Sequence, residues 1–91
     1  MQDLKIFVKE IRGHCDIMEV GDYFIARESR LSIPDGKHFC YWALQSILPL
    51  LPAKQRNIDE PDDWIPTTWE VECPDPKGQV ILRIEPIEGQ A

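Results

Sequence analysis

One stretch of the chain, residues 36–51, constrains the fold most because its apolar residues recur with the period of an α-helix. The positions are i, i+3, i+4, i+7, i+8 and i+11, which share one helix face. They are Cys40, Ala43, Leu44, Ile47, Leu48 and Leu51. The spacing predicts a single core helix that ends near Leu48, because Pro49 lacks an amide hydrogen and its ring crowds the preceding turn. We expect the chain to leave the helix there.

The length and the apolar fraction of the chain predict one globular domain over residues 1–91. Ninety-one residues are too few for two hydrophobic cores that each offset their chain entropy. Hydrophobic residues make up 43% of the sequence, which is ordinary for a folded protein and above the range of disordered chains. A domain of this size buries only about 60% of its unfolded surface, so an oligomer or a bound ion would be a natural supplement to the core.

Segments with period-two alternation lie on both sides of the predicted helix and indicate four β-strands. The predicted strands are 3–11, 22–29, 67–73 and 80–87. The last two flank a Pro- and Gly-rich turn, and we expect them to form an antiparallel hairpin. The predicted element order is β-β-α-β-β, an α+β domain in which a small antiparallel sheet packs against one main helix.

The formal net charge of −6 argues against nucleic acid as a partner. From Pro52 onward the chain has nine acidic and four basic residues, and an acidic surface repels phosphate backbones. The longest apolar run is far short of the roughly twenty residues that span a bilayer, and the N-terminus lacks the apolar region of a signal peptide. We therefore expect a cytoplasmic protein without a membrane partner.

Three cysteines carry the most distinctive chemistry of the sequence. Their odd number in a reducing compartment argues against a disulfide framework. Cys15 follows a glycine turn, Cys40 begins the helix and Cys73 ends a strand, and ends of elements are where a small fold brings distant residues together. Because thiolates and imidazoles ligate zinc, we predict these cysteines, with His14 or His38, as candidate ligands of a zinc or iron site.

The cysteines also have a purely structural interpretation, which the sequence leaves open. Reduced cysteines are among the most buried residues and behave as small hydrophobes. Cys40 lies on the apolar helix stripe, and Cys73 lies on the predicted inner face of its strand. Moreover, the chain has no CxxC pair, which is the feature that makes a zinc signature specific.

Four apolar residues lie where a core does not require them. Trp64 and Ile65 fall in a predicted long loop, 53–66, and loops of this length are usually functional or mobile. Tyr41 and Trp42 lie off the apolar stripe of the helix. We predict these four as partner-binding residues, with the alternative that they cover strand edges or the loop itself.

Short motifs along nearly the whole chain resemble those of a family of small, uncharacterised bacterial and archaeal proteins of about this length. The family pattern is a cysteine with Gly-Asp before an aromatic strand, a Pro-x-Gly turn before Cys-aromatic-Trp-Ala, and Cys-Pro-Asp-Pro before a terminal strand. In this chain these are Cys15 with Gly21 to Phe24, Pro34 to Gly36 with Cys40 to Ala43, and Cys73 to Pro76. The resemblance implies that the three cysteines are family landmarks sharing a site, and it implies no activity.

Two functions follow from the sequence. The first is a non-catalytic interaction module, an accessory subunit of a larger metabolic enzyme or a homo-oligomer, because so small a chain encloses little of a substrate pocket. The second is a thiol or metal protein in which Cys15, Cys40 and Cys73 converge. A free-standing enzyme ranks third, because the sequence contains no catalytic set, phosphate loop or nucleophile motif.

Overall fold

Five antiparallel strands and a helical segment form the fold in a computed structural model, which describes residues 1–58 and 60–87. The strands are β1 (Leu4–Ile11), β2 (Tyr23–Arg27), β3 (Arg30–Ser32), β4 (Glu70–Glu72) and β5 (Val80–Pro86). Their order across the sheet is β3-β2-β1-β5-β4, and every neighbouring pair is antiparallel. The predicted α+β class with a small antiparallel sheet is confirmed, as is the β4–β5 hairpin.

The predicted element order, β-β-α-β-β, is wrong because it omits β3. After β2 the chain reverses through Glu28 and Ser29, and β3 pairs with β2 before the helical segment begins. Glu28 takes a positive φ of 57°, a conformation that hairpin turns usually assign to Gly, Asn or Asp. A Glu-Ser turn therefore gave no local signal for this hairpin.

The helical segment changes type twice because it contains two prolines. Helix α1 (Tyr41–Ile47) ends close to the predicted position, one 3₁₀ turn (Leu48–Leu50) follows, and α2 (Leu51–Arg56) continues the segment. Pro49 and Pro52 each lie in the first turn of a new helical piece, where a missing N–H is tolerated. The chain therefore stays helical past Pro49, contrary to the sequence expectation. No helix in residues 1–58 and 60–87 has the length and apolar character needed to cross a bilayer.

A single hydrophobic cluster joins buried residues of the sheet with those of the helical segment. Its fully buried members include Leu4, Ile6, Val8, Phe24, Ile47, Leu82 and Ile84. The predicted helix stripe is buried at Ala43, Ile47 and Leu51, but Leu48 is 41% exposed, and Leu50, which lies off the stripe, is buried. Leu48 and Leu50 differ from the prediction because they lie in the 3₁₀ turn, whose three-residue period rotates side chains relative to an α-helix.

A backbone ladder continues beyond the end of β1 and positions the loop that follows it. The N–H groups of Arg12, Gly13 and His14 donate to the carbonyls of Gln79, Gly78 and Lys77, at 2.9 to 3.1 Å. A Cβ atom at Gly13 would lie 2.0 Å from the Lys77 carbonyl oxygen, so this close approach requires glycine. The loop that carries Cys15 is thereby held against the turn that follows Cys73.

Candidate thiol site

The three cysteines line a single cavity of about 370 Å³, although they lie far apart in the sequence. All three are free thiols; Cys73 is buried, and Cys15 and Cys40 are half-buried. Cys15 lies in the loop after β1, Cys40 immediately precedes α1, and Cys73 immediately follows β4. The fold thus brings together the three thiols that the sequence analysis selected. We call this space the cysteine cavity.

Met18 connects two of the cysteines and adds a fourth sulfur to the lining of the cysteine cavity. Its backbone N–H donates to the Cys15 Sγ at 3.4 Å, and its Sδ accepts the backbone N–H of Cys40 at 3.1 Å. The side chain is 2% exposed. Sequence reasoning missed Met18 because methionine is an ordinary core residue, and its nearness to Cys15 in the chain was the only available signal.

The thiol of Cys73 has a raised pKa, chiefly because burial disfavours the thiolate. The backbone N–H of Asp75 donates to the sulfur and opposes this shift, whereas negative charge on Cys40, on Asp75 and on Cys15 adds to it. Two consequences follow. Cys73 holds its proton at neutral pH in the absence of a compensating cation, and the three thiols are close enough to influence one another electrostatically.

Charged and polar side chains also line the cysteine cavity. They are His14, Asp16, Asp75 and Lys77. The Nε2 of His14 lies 2.7 Å from the Oδ1 of Asp16, and both side chains are exposed. An imidazole therefore accompanies the three thiols.

The second histidine predicted as a ligand, His38, does not line the cysteine cavity. His38 lines a different cavity of about 280 Å³, together with Asp22 and Lys37. Its Nε2 lies 2.8 Å from the carbonyl oxygen of Ile17. Of the two histidines predicted as ligands, His14 is the one that lines the cysteine cavity.

The arrangement of donor groups bears on what the cysteine cavity can hold. Within residues 1–58 and 60–87, no group of three or more His, Cys, Asp or Glu side chains is arranged to hold a metal ion. Since zinc–sulfur bonds are about 2.3 Å long, three thiolates on one zinc ion lie within about 4 Å of one another. The described residues therefore do not by themselves show a site for a single ion, and the zinc or iron site stays a prediction.

An exposed aromatic pair borders the cysteine cavity. Tyr41 is 66% exposed and Trp42 53%, and their ring centroids lie 5.2 Å apart. Trp42 lines both the cysteine cavity and an adjacent groove formed with Gln45, Pro74 and Asp75. Of these two predicted partner-binding residues, Trp42 therefore lies beside the thiols, and Tyr41 packs against the Trp42 ring.

The other two predicted partner-binding residues, Trp64 and Ile65, differ in their exposure to solvent. Trp64 is 60% exposed, whereas Ile65 is half-buried and packs against the hydrophobic cluster. Ile65 opens a short 3₁₀ turn (Ile65–Thr67), and the hydroxyls of Thr67 and Thr68 donate to the carbonyl of Trp64. The predicted loop, 53–66, is wrong at its start, because α2 continues to Arg56. Its end is anchored by Ile65, and Trp64 faces solvent.

No family model matches the chain, and no match was found among curated proteins or solved structures. The resemblance to the family of small bacterial and archaeal proteins therefore stays a prediction. The functional interpretation of the cysteine cavity rests on its own residues.

Proposed function

We propose that this protein binds a thiophilic metal centre, containing zinc or iron, in the cavity lined by Cys15, Cys40 and Cys73. One observation carries the proposal: three thiols from three separate segments line one cavity. Cysteines that only fill space in a core need not converge, because any small hydrophobe serves that purpose. Thiolates are the ligands that zinc and iron–sulfur centres share.

The protonation of the thiols makes the proposed binding dependent on pH. Thiol ligands bind metals as thiolates, so binding releases their protons. Burial raises the pKa of Cys73, and its proton therefore competes with the metal at neutral pH. Metal affinity should rise as the pH increases towards that raised pKa. The free thiols also accord with the cytoplasmic location that we propose.

A fourth ligand for the metal centre is available from one of the two histidines. His14 lines the same cavity as the thiols, which supports it as the fourth ligand. His38 has its ring directed at a backbone carbonyl and lines another cavity, which makes it a matched control. Replacing each histidine by asparagine, which keeps a polar group of similar size, distinguishes a metal ligand from a histidine outside the site.

Metal analysis of protein purified without oxygen or chelator tests the proposal. We expect stoichiometric zinc or iron, three thiols that react only after a chelator is added, and loss of the metal in Cys15→Ser, Cys40→Ser and Cys73→Ser. His14→Asn should weaken binding, and His38→Asn should leave it unchanged. Protein that takes up neither Zn²⁺ nor Fe²⁺, and whose thiols titrate freely throughout, contradicts the proposal.

A second candidate function is a non-catalytic interaction module, either an accessory subunit of a larger metabolic enzyme or a homo-oligomer. The exposed Tyr41–Trp42 pair favours it, because adjacent large aromatic side chains at a surface are typical of interface anchors. Trp64 offers a further exposed aromatic surface. The two candidate functions are compatible, since a metal centre beside Trp42 would stabilise the surface that docks.

Sedimentation velocity over a wide concentration range tests the interaction module. We expect a dimer or larger assembly, or a partner that co-purifies, and a shift to the free monomer in the Tyr41→Ser, Trp42→Ser double variant. The Trp64→Ser variant determines whether the second aromatic surface contributes to the assembly. A monomer at every concentration, with no partner after gentle purification, counts against this candidate.

A further inference from the structure

We infer that two copies of this chain pair through the open edge of β3 and join their two sheets into one. Among the described residues, β3 is an end strand of the sheet and pairs with β2. Its three residues, Arg30, Leu31 and Ser32, are all exposed. The open edge of a sheet presents unpaired N–H and C=O groups, and a further strand can bond to them.

The hydrogen bonds between β1 and β2 determine which backbone groups of β3 point to the open edge. The N–H of Val8 donates to the carbonyl of Asp22, so Val8 faces the β2 side of the sheet. Every second residue of an antiparallel strand turns its N–H and C=O towards the same neighbour. Leu4 therefore also faces β2, and Ala26, its pairing partner, faces β1. Leu31 pairs with Ala26 from the other side, so its N–H and C=O point away from β2.

The outward-facing residue lies at the centre of β3, which makes the edge complementary to itself. When two copies meet antiparallel with Leu31 opposite Leu31, each N–H donates to the carbonyl of the other copy. Arg30 then lies opposite Ser32 of the second copy, so no like charges face each other directly. A contact of this kind is two-fold symmetric and closes on two copies. The edge therefore fits a second copy of this chain.

Apolar side chains at the same edge give the pairing a hydrophobic contribution. Leu31 is 40% exposed, although it shares a sheet face with the buried Ala26. Ile33, two residues further along the chain, is 36% exposed. In the antiparallel arrangement the two Leu31 side chains lie next to each other on this face. A second copy therefore covers apolar surface that one chain leaves in water.

The opposite edge of the sheet, β4, is unsuited to the same pairing. The carbonyl of Trp69 accepts an N–H from β5, and the N–H of Cys73 donates to β5. By the same alternation, the backbone groups of Glu70 and Glu72 point to the open edge. Carboxylates on an edge strand repel those of a second copy. Because the chain has a net charge of −6, two copies are best joined where the edge has no carboxylate, and β3 has none.

Sedimentation velocity of the full chain tests the inference. The contact is small, so we expect a weak monomer–dimer equilibrium that is measurable at concentrations up to about 1 mM. Leu31→Lys and Leu31→Glu each place like charges opposite each other and should each give a monomer. An equal mixture of the two variants should restore the dimer, because lysine then faces glutamate across the contact. A loss of stability alone would not be reversed by mixing.

Hydrogen exchange measured by nuclear magnetic resonance needs no variant and therefore stands even where a variant fails to fold. The N–H of Leu31 should exchange more slowly as the protein concentration rises, because it becomes bonded only in the dimer. The N–H of Arg30 faces β2 and should be protected equally at low and high concentration. An exchange rate at Leu31 that does not depend on concentration overturns the inference.

The Tyr41→Ser, Trp42→Ser double variant is the control at a different surface, and it should keep the dimer. The inference narrows the second candidate function, since a homo-oligomer would form through β3 and the aromatic pair would contact another partner. A dimer lost in this double variant but kept in both Leu31 variants overturns the inference and leaves that candidate standing.

The remaining outcomes are equally decisive. Wild-type protein that is a monomer at about 1 mM overturns the inference, and so do folded Leu31 variants that stay monomeric when mixed. The inference is independent of metal binding. Protein that dimerises through β3 but takes up neither Zn²⁺ nor Fe²⁺ supports the inference and contradicts the proposed metal centre.

Discussion

Gly13 is the residue on which the approach of Cys15 to Cys73 most directly depends. A Cβ atom at this position would lie 2.0 Å from the carbonyl oxygen of Lys77 and 2.9 Å from that of Gly78. Both obstructing atoms belong to the backbone, so no side-chain rotation relieves the contact. The absence of a side chain at one residue therefore allows two distant segments of the chain to form one wall of the cysteine cavity.

Replacing this glycine should both destabilise the fold and open the cavity. We expect Gly13→Ala to lower the free energy of unfolding by about 1–3 kcal/mol, because the backbone must separate to admit the methyl group. Cys15 and Cys73 should then react faster with iodoacetamide. Urea denaturation and alkylation followed by mass spectrometry measure the two effects.

Gly78→Ala is the matched control in the facing segment. Its Cβ atom would meet the side chain of Val80 at 3.5 Å, which is ordinary van der Waals contact. We expect a change of less than about 1 kcal/mol. Equal stability of the two variants would show that the close approach at Gly13 is not required.

At the scale of elements, β4 is a three-residue edge strand that an ion-pair network ties to the rest of the sheet. The Oε2 of Glu70 on β4 lies 2.7 Å from the Nζ of Lys9 on β1 and 2.9 Å from an Nη1 of Arg83 on β5. The hydrogen bond from Lys9 is the main reason why the pKa of Glu70 is lowered, and Arg83 contributes. The network spans three strands, and it links the strand before Cys73 to the strand before Cys15.

The lowered pKa of Glu70 predicts how the network responds to pH. A carboxylate with a depressed pKa in the folded state stabilises the fold above its unfolded pKa of about 4.3, and this contribution disappears as the pH falls through the folded value. Glu70→Gln should therefore lower the melting temperature at neutral pH and make no difference in strong acid. Thermal unfolding of both proteins, monitored by circular dichroism at several pH values, measures this difference in melting temperature.

Glu72→Gln provides the control on the same strand. Glu72 is exposed and, within the described residues, forms no ion pair. Its substitution should leave the melting temperature nearly unchanged at each pH. An effect of Glu70→Gln that persists in strong acid would refute the electrostatic explanation.

At the scale of the whole molecule, the strands β1 and β5, which are far apart in the sequence, pair inside the sheet. Strand β1 lies between β2 and β5, so the first and last strands pair directly. Buried residues from both strands and from the helical segment belong to one hydrophobic cluster. A single core of this kind should unfold as one unit, as expected for a domain of this size.

A core substitution in the last strand tests this cooperativity. Ile84 is fully buried, and Ile84→Ala should cost about 2–5 kcal/mol of unfolding free energy. Urea denaturation monitored by circular dichroism and by tryptophan fluorescence should give coincident transitions for both proteins. The neighbouring exposed residue offers a control, since Glu85→Ala should change stability by less than about 1 kcal/mol. Two separate transitions would contradict a single cooperative domain.

Local sequence patterns determined much of the secondary structure. Alternation of apolar residues indicated β1 and β5, and the spacing from Cys40 to Ile47 indicated α1. The turn between β4 and β5 followed from its prolines and glycine. The hairpin at Glu28 and the continuation through Pro52 were missed, because turn and helix propensities are weak where tertiary packing compensates.

The sequence by itself determined that the chain carries three thiols at ends of elements and that these are candidates for a shared site. Only the tertiary structure decided that they line one cavity, that Met18 joins them and that His38 does not. The physical reason is that this convergence depends on the register between β1 and β5 and on the backbone contact at Gly13. Both are long-range interactions, and no local pattern of residues encodes them.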